Sequence, residues 1–297
     1  MERFHGILAA TVTPFTSDDS VDEAATAKLA NSLIEAGVHG LIPTGSTGEF
    51  FTMTMDERKK VVEITIEAAN GRVPVIAHTA AVATREVIEL SRHAEKSGAQ
   101  GLMIVPPYYE PLSENDILGH YAAVAAAADL PIMLYNIPVC SGFDIRPEFM
   151  LRLAEEIPTV QYIKDSTGNA AALQQLIAVS GERVTVFNGS DTLSLYGLVA
   201  GTAGCVWGAA NVTPRECVDL YELVVEKQDL AGAKALWTHL LPLNAFFERE
   251  GYIAAVKAGA ALTGRQLGDP RAPIGRLSNT KTQELRILLQ NLSALAA

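Results

Sequence analysis

Cysteine is scarce: Cys140, Cys205 and Cys217 are the three in 297 residues, and no two share a CxxC spacing. An odd, scattered set of thiols builds neither a disulfide framework nor a zinc site, and it fits a reducing cytoplasm. Positive charge is also in deficit. Lys and Arg total 23 against 34 Asp and Glu, a formal net charge of -11. No basic face is left for phosphates, which excludes nucleic acid and anionic membrane as partners, and any anionic substrate has to be met by local groups. The histidines, His5, His39, His78, His93, His120 and His239, form no HxH or HExxH pattern, which speaks against a metal centre. The segment from Met1 to Gly6 lacks the charged-then-apolar profile of a signal peptide. The longest uncharged stretch, 192–214, is broken by Gly197, Gly201, Gly204 and Gly208, and reads as a buried helix, a turn and a buried strand.

What is present is an ordinary globular composition, 48% apolar and 19% charged, enough for a sizeable core. The length suits one large domain with an appendage or two ordinary domains. Short β-rich apolar runs at 6–13, 40–44, 73–78, 101–105, 132–135, 160–164, 184–188 and 204–206 predict eight strands. Amphipathic segments at 23–36, 56–69, 85–97, 114–128, 147–155, 170–180 and 193–200 separate them, with glycine stops at Gly37 and Gly98. Continuous rather than alternating apolar strands imply burial on both faces, as in a parallel sheet. Eight β/α units in about 225 residues predict a (β/α)8 TIM barrel. An open doubly wound sheet uses the same alternation, but no GxGxxG follows the first strand. From residue 214 only helices are predicted, interrupted by a Gly/Pro-rich break at 264–275. The expected organisation is a barrel catalytic domain over 1–227 and a C-terminal helical extension over 228–297.

Barrel enzymes carry their reacting groups at the C-terminal ends of the strands. The second strand runs into Thr44-Gly45-Ser46-Thr47-Gly48-Glu49, which reads either as a cradle of backbone N–H and hydroxyl donors for a carboxylate or as a tight turn with a helix cap. The fifth ends in Tyr135-Asn136-Ile137-Pro138, with a tyrosine at the barrel mouth. After the fourth, Pro106-Pro107-Tyr108-Tyr109 is either rigid aromatic packing or a tyrosine sent towards a site. The sixth is the most informative. Lys164 ends it, whereas the lysines at 28, 59, 60, 96, 227, 234, 257 and 281 fall on predicted helices. Lys164 reads either as a side chain that snorkels or pairs with Asp165, or as a desolvated amine that attacks a carbonyl to form a Schiff base.

Five motifs in this order resemble the dihydrodipicolinate synthase and N-acetylneuraminate lyase family of Schiff-base aldolases over nearly the whole chain. They are Gly45-Ser46-Thr47-Gly48-Glu49, Pro107-Tyr108-Tyr109, Tyr135-Asn136-Ile137-Pro138 with Ser141-Gly142, Ile163-Lys164-Asp165-Ser166-Thr167-Gly168, and Asn188-Gly189-Ser190-Asp191. The resemblance implies a (β/α)8 barrel with a helical tail, a homotetramer built as a dimer of dimers, and no metal or organic cofactor. It also implies Lys164 as the Schiff-base lysine, Tyr135 as the proton shuttle, and Tyr109 as a residue that crosses a subunit interface to complete a relay with Ser46 and Tyr135. Thr47 and Gly48 would hold the keto-acid carboxylate, and Asp191, Cys140 and Val206 would face the substrate. Cys140 stands where members that make the lysine precursor carry an arginine, and a thiol cannot form that residue's bidentate pair with a carboxylate. Ser46 and Tyr135-Asn136-Ile137-Pro138 lean towards the sialic-acid lyase branch, but Thr192 stands where that branch has an acidic residue. The expected activity is a class I lyase acting on pyruvate plus an aldehyde, or on a 2-keto-3-deoxy acid. The runner-up is 4-hydroxy-tetrahydrodipicolinate (dihydrodipicolinate) synthase, and a dehydratase or deaminase using the same imine, or a non-catalytic keto-acid-binding scaffold, are the remaining alternatives.

Overall fold

In a computed structural model describing residues 3–293, the eight apolar runs become eight strands. Met1 and Glu2 of the segment read for a signal peptide, and 294–297 of the expected helical tail, lie outside the described residues. The strands are β1 (Gly6–Ala10), β2 (Gly40–Ile42), β3 (Ile76–His78), β4 (Gly101–Ile104), β5 (Ile132–Asn136), β6 (Val160–Asp165), β7 (Thr185–Asn188) and β8 (Gly204–Trp207). They pair in the order β2-β1-β8-β7-β6-β5-β4-β3, every ladder parallel. The two ends of that order meet where Leu41 bridges Val75 and donates its N–H to the Pro74 carbonyl at 3.0 Å. This closure makes the sheet the TIM barrel that the alternation predicts.

Between the strands lie α1 (Glu23–Glu35), α2 (Met55–Ala69), α3 (Thr84–Ser97), α4 (Glu114–Ala125), α5 (Pro138–Ser141), α6 (Pro147–Glu156), α7 (Ala170–Ser180) and α8 (Ser194–Ala200). Among the described residues four α-helices follow β8: α9 (Pro214–Tyr221), α10 (Leu230–Arg249), α11 (Tyr252–Leu262) and α12 (Asn279–Ser293). Local chemistry sets their ends. Thr54 with Glu57, and Ser113 with Asp116, form reciprocal capping boxes that satisfy the first free N–H groups of α2 and α4. Among the described residues no helix is long and apolar enough to cross a membrane.

The first strand is shorter than the predicted 6–13. Thr11 N–H still reaches the Ile42 carbonyl at 3.0 Å, and beyond it side chains replace the strand partner: Val12 N–H donates to Asn211 Oδ1 at 3.1 Å and Thr13 Oγ1 donates to the Gly48 carbonyl at 2.7 Å. The third starts only at Ile76, because Pro74 has no N–H to give a ladder. Helix α5 was not foreseen; Pro138 at its first position has the fixed φ that starts a helix.

The core falls into two buried groups. Side chains from β3 to β7 pack with α3, α4, α6 and α7, and include Tyr121, Phe149, Tyr162 and Phe187. Trp207, Phe246, Phe247 and Leu243 belong to a second group in which α10 and α11 pack against β1, β8 and α9. Each such fully buried side chain contributes roughly 1.5–3 kcal/mol, so the C-terminal helices are held to one flank of the barrel by its own core.

Candidate active site

Lys164 and Tyr135 are direct neighbours across the β5/β6 ladder. Both are buried, Lys164 with 5% of its surface exposed, and its Nζ lies 3.9 Å from the centroid of the Tyr135 ring. The negative face of the ring is the partner that a cation accepts when no carboxylate is at hand. Asp165, the alternative partner, is engaged elsewhere: it accepts from Asn136 Nδ2 at 3.1 Å and from Thr167 Oγ1 at 2.8 Å. Among the described residues Lys164 has no ion pair. The strand-end lysine therefore neither snorkels nor pairs. Room for it comes from Gly189 at the end of β7, where a Cβ would lie 2.7 Å from both Cγ and Cε of Lys164.

Behind this pair, Asn136 also donates to Asp144 Oδ1 at 3.0 Å and accepts from the Ile145 N–H at 2.9 Å. The same side chain thus ties the loop after β5 to Asp165. Burial pushes the Asp165 carboxyl up to about 6, against the opposing pull of its bonds to Thr167 and Asn136.

The loop after β2 leaves another strand end of the same barrel. Thr44 takes a left-handed conformation (φ 58°) and donates its hydroxyl to the His78 carbonyl at 2.9 Å. Thr47 and Gly48 are buried and Ser46 is half-buried. Among the described residues, the N–H groups of Ser46, Thr47 and Gly48 have no acceptor, and the hydroxyls of Ser46, Thr47 and Tyr135 have no hydrogen-bond partner. Buried donors are normally satisfied. Three unspent N–H groups beside two unspent hydroxyls form a receptor for a small anion such as a carboxylate.

The remaining residues singled out in the sequence divide. Asp191 is brought to the site, 4% exposed, and accepts from the Tyr252 hydroxyl at 2.6 Å. Burial, reinforced by the Glu248 charge, pushes its carboxyl up to about 7 despite the Tyr252 bond and the Lys164 charge. Val206 is buried in the packing of β8, opposite Leu8. Cys140 is exposed on α5. Tyr109 is 86% exposed and meets neither Ser46 nor Tyr135 within one chain.

Two neighbours of Asp191 could not be anticipated. Glu248, from α10, accepts from Ser190 Oγ at 3.0 Å, Thr192 N–H at 3.2 Å and Thr192 Oγ1 at 2.7 Å. A carboxylate thus reaches Thr192, the position where the sequence offered a hydroxyl in place of an acid. Tyr252 comes from the start of α11. His78 was noted in the sequence only as unsuited to a metal. Its ring lies buried against Phe50 and Tyr135, with both nitrogens unpartnered among the described residues, and burial drives its pKa far down. Among the described residues no three His, Cys, Asp or Glu side chains are grouped to hold a metal ion.

The Dihydrodipicolinate synthetase family matches this sequence over residues 3–292. The chain belongs to that family. A 4-hydroxy-tetrahydrodipicolinate synthase from Acidiphilium cryptum (strain JF-5) is 39% identical over 99% of this chain and 100% of its own. Among solved structures, YagE, a prophage protein of the dihydrodipicolinic acid synthase family from E. coli K12 in complex with pyruvate, superposes with a TM-score of 0.94. It is 33% identical, over 98% of this chain and 99% of that one. Dihydrodipicolinate synthase from Aquifex aeolicus superposes with a TM-score of 0.93 at 31% identity, over 98% of both chains. This member of the family is accordingly a lyase of the aldolase type, a family that uses pyruvate and an aldehyde.

Proposed function

We propose that this lyase works through a Schiff base on Lys164, with pyruvate or the pyruvate half of a 2-keto-3-deoxy acid as first substrate. The observation that carries the reading is a buried lysine that has no ion pair among the described residues and is set against Tyr135 at a strand end of a barrel whose loop after β2 carries unspent donors. Nζ adds to the keto carbon, the carbinolamine loses water, and the iminium so formed withdraws electrons from C3. Loss of a C3 proton gives an enamine whose C3 attacks the aldehyde carbon; the reverse sequence cleaves the same bond, and hydrolysis of the imine returns the free amine. In this reading Thr47 and the N–H groups of residues 46–48 hold the carboxylate. Tyr135 moves the protons, with Ser46 beside it and Tyr109 supplied by a second subunit of a homotetramer. The exposure of Tyr109 supports that last assignment, since one chain alone leaves it idle.

For the second substrate we favour a neutral, hydroxylated aldehyde. Asp191 and Glu248 accept hydrogen bonds from hydroxyls and repel a carboxylate, and Cys140 offers no charge-assisted pair. A second reading, 4-hydroxy-tetrahydrodipicolinate synthase, is favoured by the names of curated relatives that align along nearly the full chain. Borohydride reduction in the presence of pyruvate is expected to leave a stable adduct that peptide mapping places on Lys164. An adduct on another residue, or none while turnover persists, sinks the Schiff-base reading. Condensation of pyruvate with aspartate semialdehyde at kcat/KM of about 10⁴ M⁻¹s⁻¹ or more gives the second reading the decision.

A further inference from the structure

One residue beyond Gly48, Glu49 is fully buried and held at φ 60°, a left-handed conformation that a non-glycine residue keeps only when its surroundings impose it. The groups that impose it come from the C-terminal extension. Glu49 Oε1 pairs with Lys257 Nζ on α11 at 2.6 Å, and Oε2 accepts from the Arg271 N–H at 2.8 Å. Lys257 also donates to the Asp269 carbonyl at 3.0 Å. Arg271 pairs with Glu57 on α2 at 2.5 Å, and donates to the carbonyls of Thr52 (3.2 Å) and Asp19.

Both cations also cover one ring. Lys257 Nζ and the Arg271 guanidinium lie 4.3 and 4.0 Å from the centroid of Phe15, in the loop after β1. The backbone closes on the same point: Phe15 N–H donates to the Leu267 carbonyl, and a Cβ on Gly268 (φ 71°) would lie 2.0 Å from the Phe15 carbonyl oxygen. Meanwhile the carbonyl of Gly48 is held by Thr13, only two residues before Phe15. The segment carrying the N–H groups of 46–48 is therefore fastened at its C-terminal end, by Thr13 on the Gly48 carbonyl and by the side chain of Glu49.

We propose that Lys257 and Arg271, acting through Glu49, are positioning residues for the first substrate: they fix the angle at which the 46–48 donors meet the keto-acid carboxylate. The inference rests on the reading of that loop as the carboxylate site. The tail contributes to pyruvate affinity without touching pyruvate, and the imine chemistry at Lys164 lies outside its reach. Disturbing the strut raises the pyruvate concentration needed for half-saturation and leaves the saturated rate of imine formation nearly alone.

The test uses the full chain and borohydride trapping at graded pyruvate, with acetone, a ketone without a carboxylate, in a parallel series. Thr47→Val examines the loop itself and is expected to raise half-saturating pyruvate. Glu49→Gln/Lys257→Met removes both charges together, so that no lone charge is left buried. It is expected to raise half-saturating pyruvate about tenfold, with the saturated rate and the acetone series changed less than about threefold. Arg271→Met leaves its backbone N–H on Glu49 and is expected to shift half-saturation in the same direction by about threefold. It serves as the readout if the double variant does not fold. A folded strut variant with native half-saturation, while Thr47→Val responds, overturns the positioning role alone. An unresponsive Thr47→Val overturns the carboxylate loop and the strut's role with it. Equal losses for pyruvate and acetone also overturn the proposal, because they mark general damage instead of lost aim.

Discussion

Lys164 and Lys257 are almost equally buried, 5% and 3% exposed, and they differ in what faces the ammonium. Lys257 meets a carboxylate at 2.6 Å, a backbone carbonyl at 3.0 Å and a ring. Burial lowers its pKa from the ordinary lysine value, and the Glu49 charge pulls part of that shift back. Among the described residues the Lys164 ammonium has the face of Tyr135 against it and no hydrogen-bond or ion-pair partner. A paired ammonium has its proton and its geometry fixed, which suits a strut; an unpaired one can become a nucleophile. Burial alone does not tell the two apart, and the partner does.

Methionine at each position gives the sharpest break between them. Lys164→Met is expected to cut turnover by at least about 10⁴-fold, with no loss of Tm, since an unpaired buried cation is exchanged for apolar packing. Lys257→Met leaves Glu49 buried without its partner, a loss of about 3–5 kcal/mol of stability. Thermal melts and steady-state rates on the two variants read both effects. A large stability loss at 164, or a large drop in saturated rate at 257 with stability intact, would reverse the assignment.

Tyr135→Phe keeps the ring under Lys164 and removes only the hydroxyl, so it tests proton transfer separately from the cation–π contact. A loss of about 10²–10⁴-fold in kcat is expected, the ordinary worth of a positioned acid-base group. Tyr109→Phe is expected to lower kcat as well, with sedimentation showing an unchanged assembly. Full activity in a dilute monomer would show that no second subunit supplies Tyr109.

On the aldehyde side, Cys140→Arg is expected to improve kcat/KM for aspartate semialdehyde relative to a neutral aldehyde by one to two decades. A charge-assisted hydrogen bond is worth about 1.5–3 kcal/mol. The ratio of the two specificity constants is the measurement. An unchanged ratio means that the exposed α5 position does not face the second substrate.

Strand ends are where the sequence is most readable, because a buried parallel strand is a local pattern and its last residue falls at the barrel mouth. Lys164 and Tyr135, along with the hydroxyls at 46 and 47, could be placed this way. What could not be read depends on contacts across long sequence separations. Lys257 lies on a helix, as expected, but nothing local says that it turns inward to Glu49, more than 200 residues earlier. Glu248 looks like any charged residue near the end of a helix until α10 docks and brings it to Thr192, 56 residues away. The early end of β1 has the same origin, since Asn211 replaces a strand partner for Val12.

The smallest effect concerns the two carboxyls flanking the lysine site. Asp165 and Asp191 are pushed up to about 6 and about 7 from an ordinary value of 3.8, chiefly by burial. The folded state therefore holds more protons than the unfolded one between about pH 4 and 7. Stability falls as pH rises wherever the folded state binds the excess. The contribution is complete below pH 3.8 and is lost as pH climbs through 6 for Asp165 and then 7 for Asp191, at most about 1.4 kcal/mol per pH unit for each group. Asp191→Asn keeps an acceptor for the Tyr252 hydroxyl and removes one titration. Its Tm is expected to vary less than the native Tm from pH 4 to 7 and to exceed it at pH 8, where native Asp191 is charged beside Glu248. Parallel curves across that window would mean that Asp191 ionises in the folded protein as it does in the unfolded chain, unaffected by its burial or by the Glu248 charge.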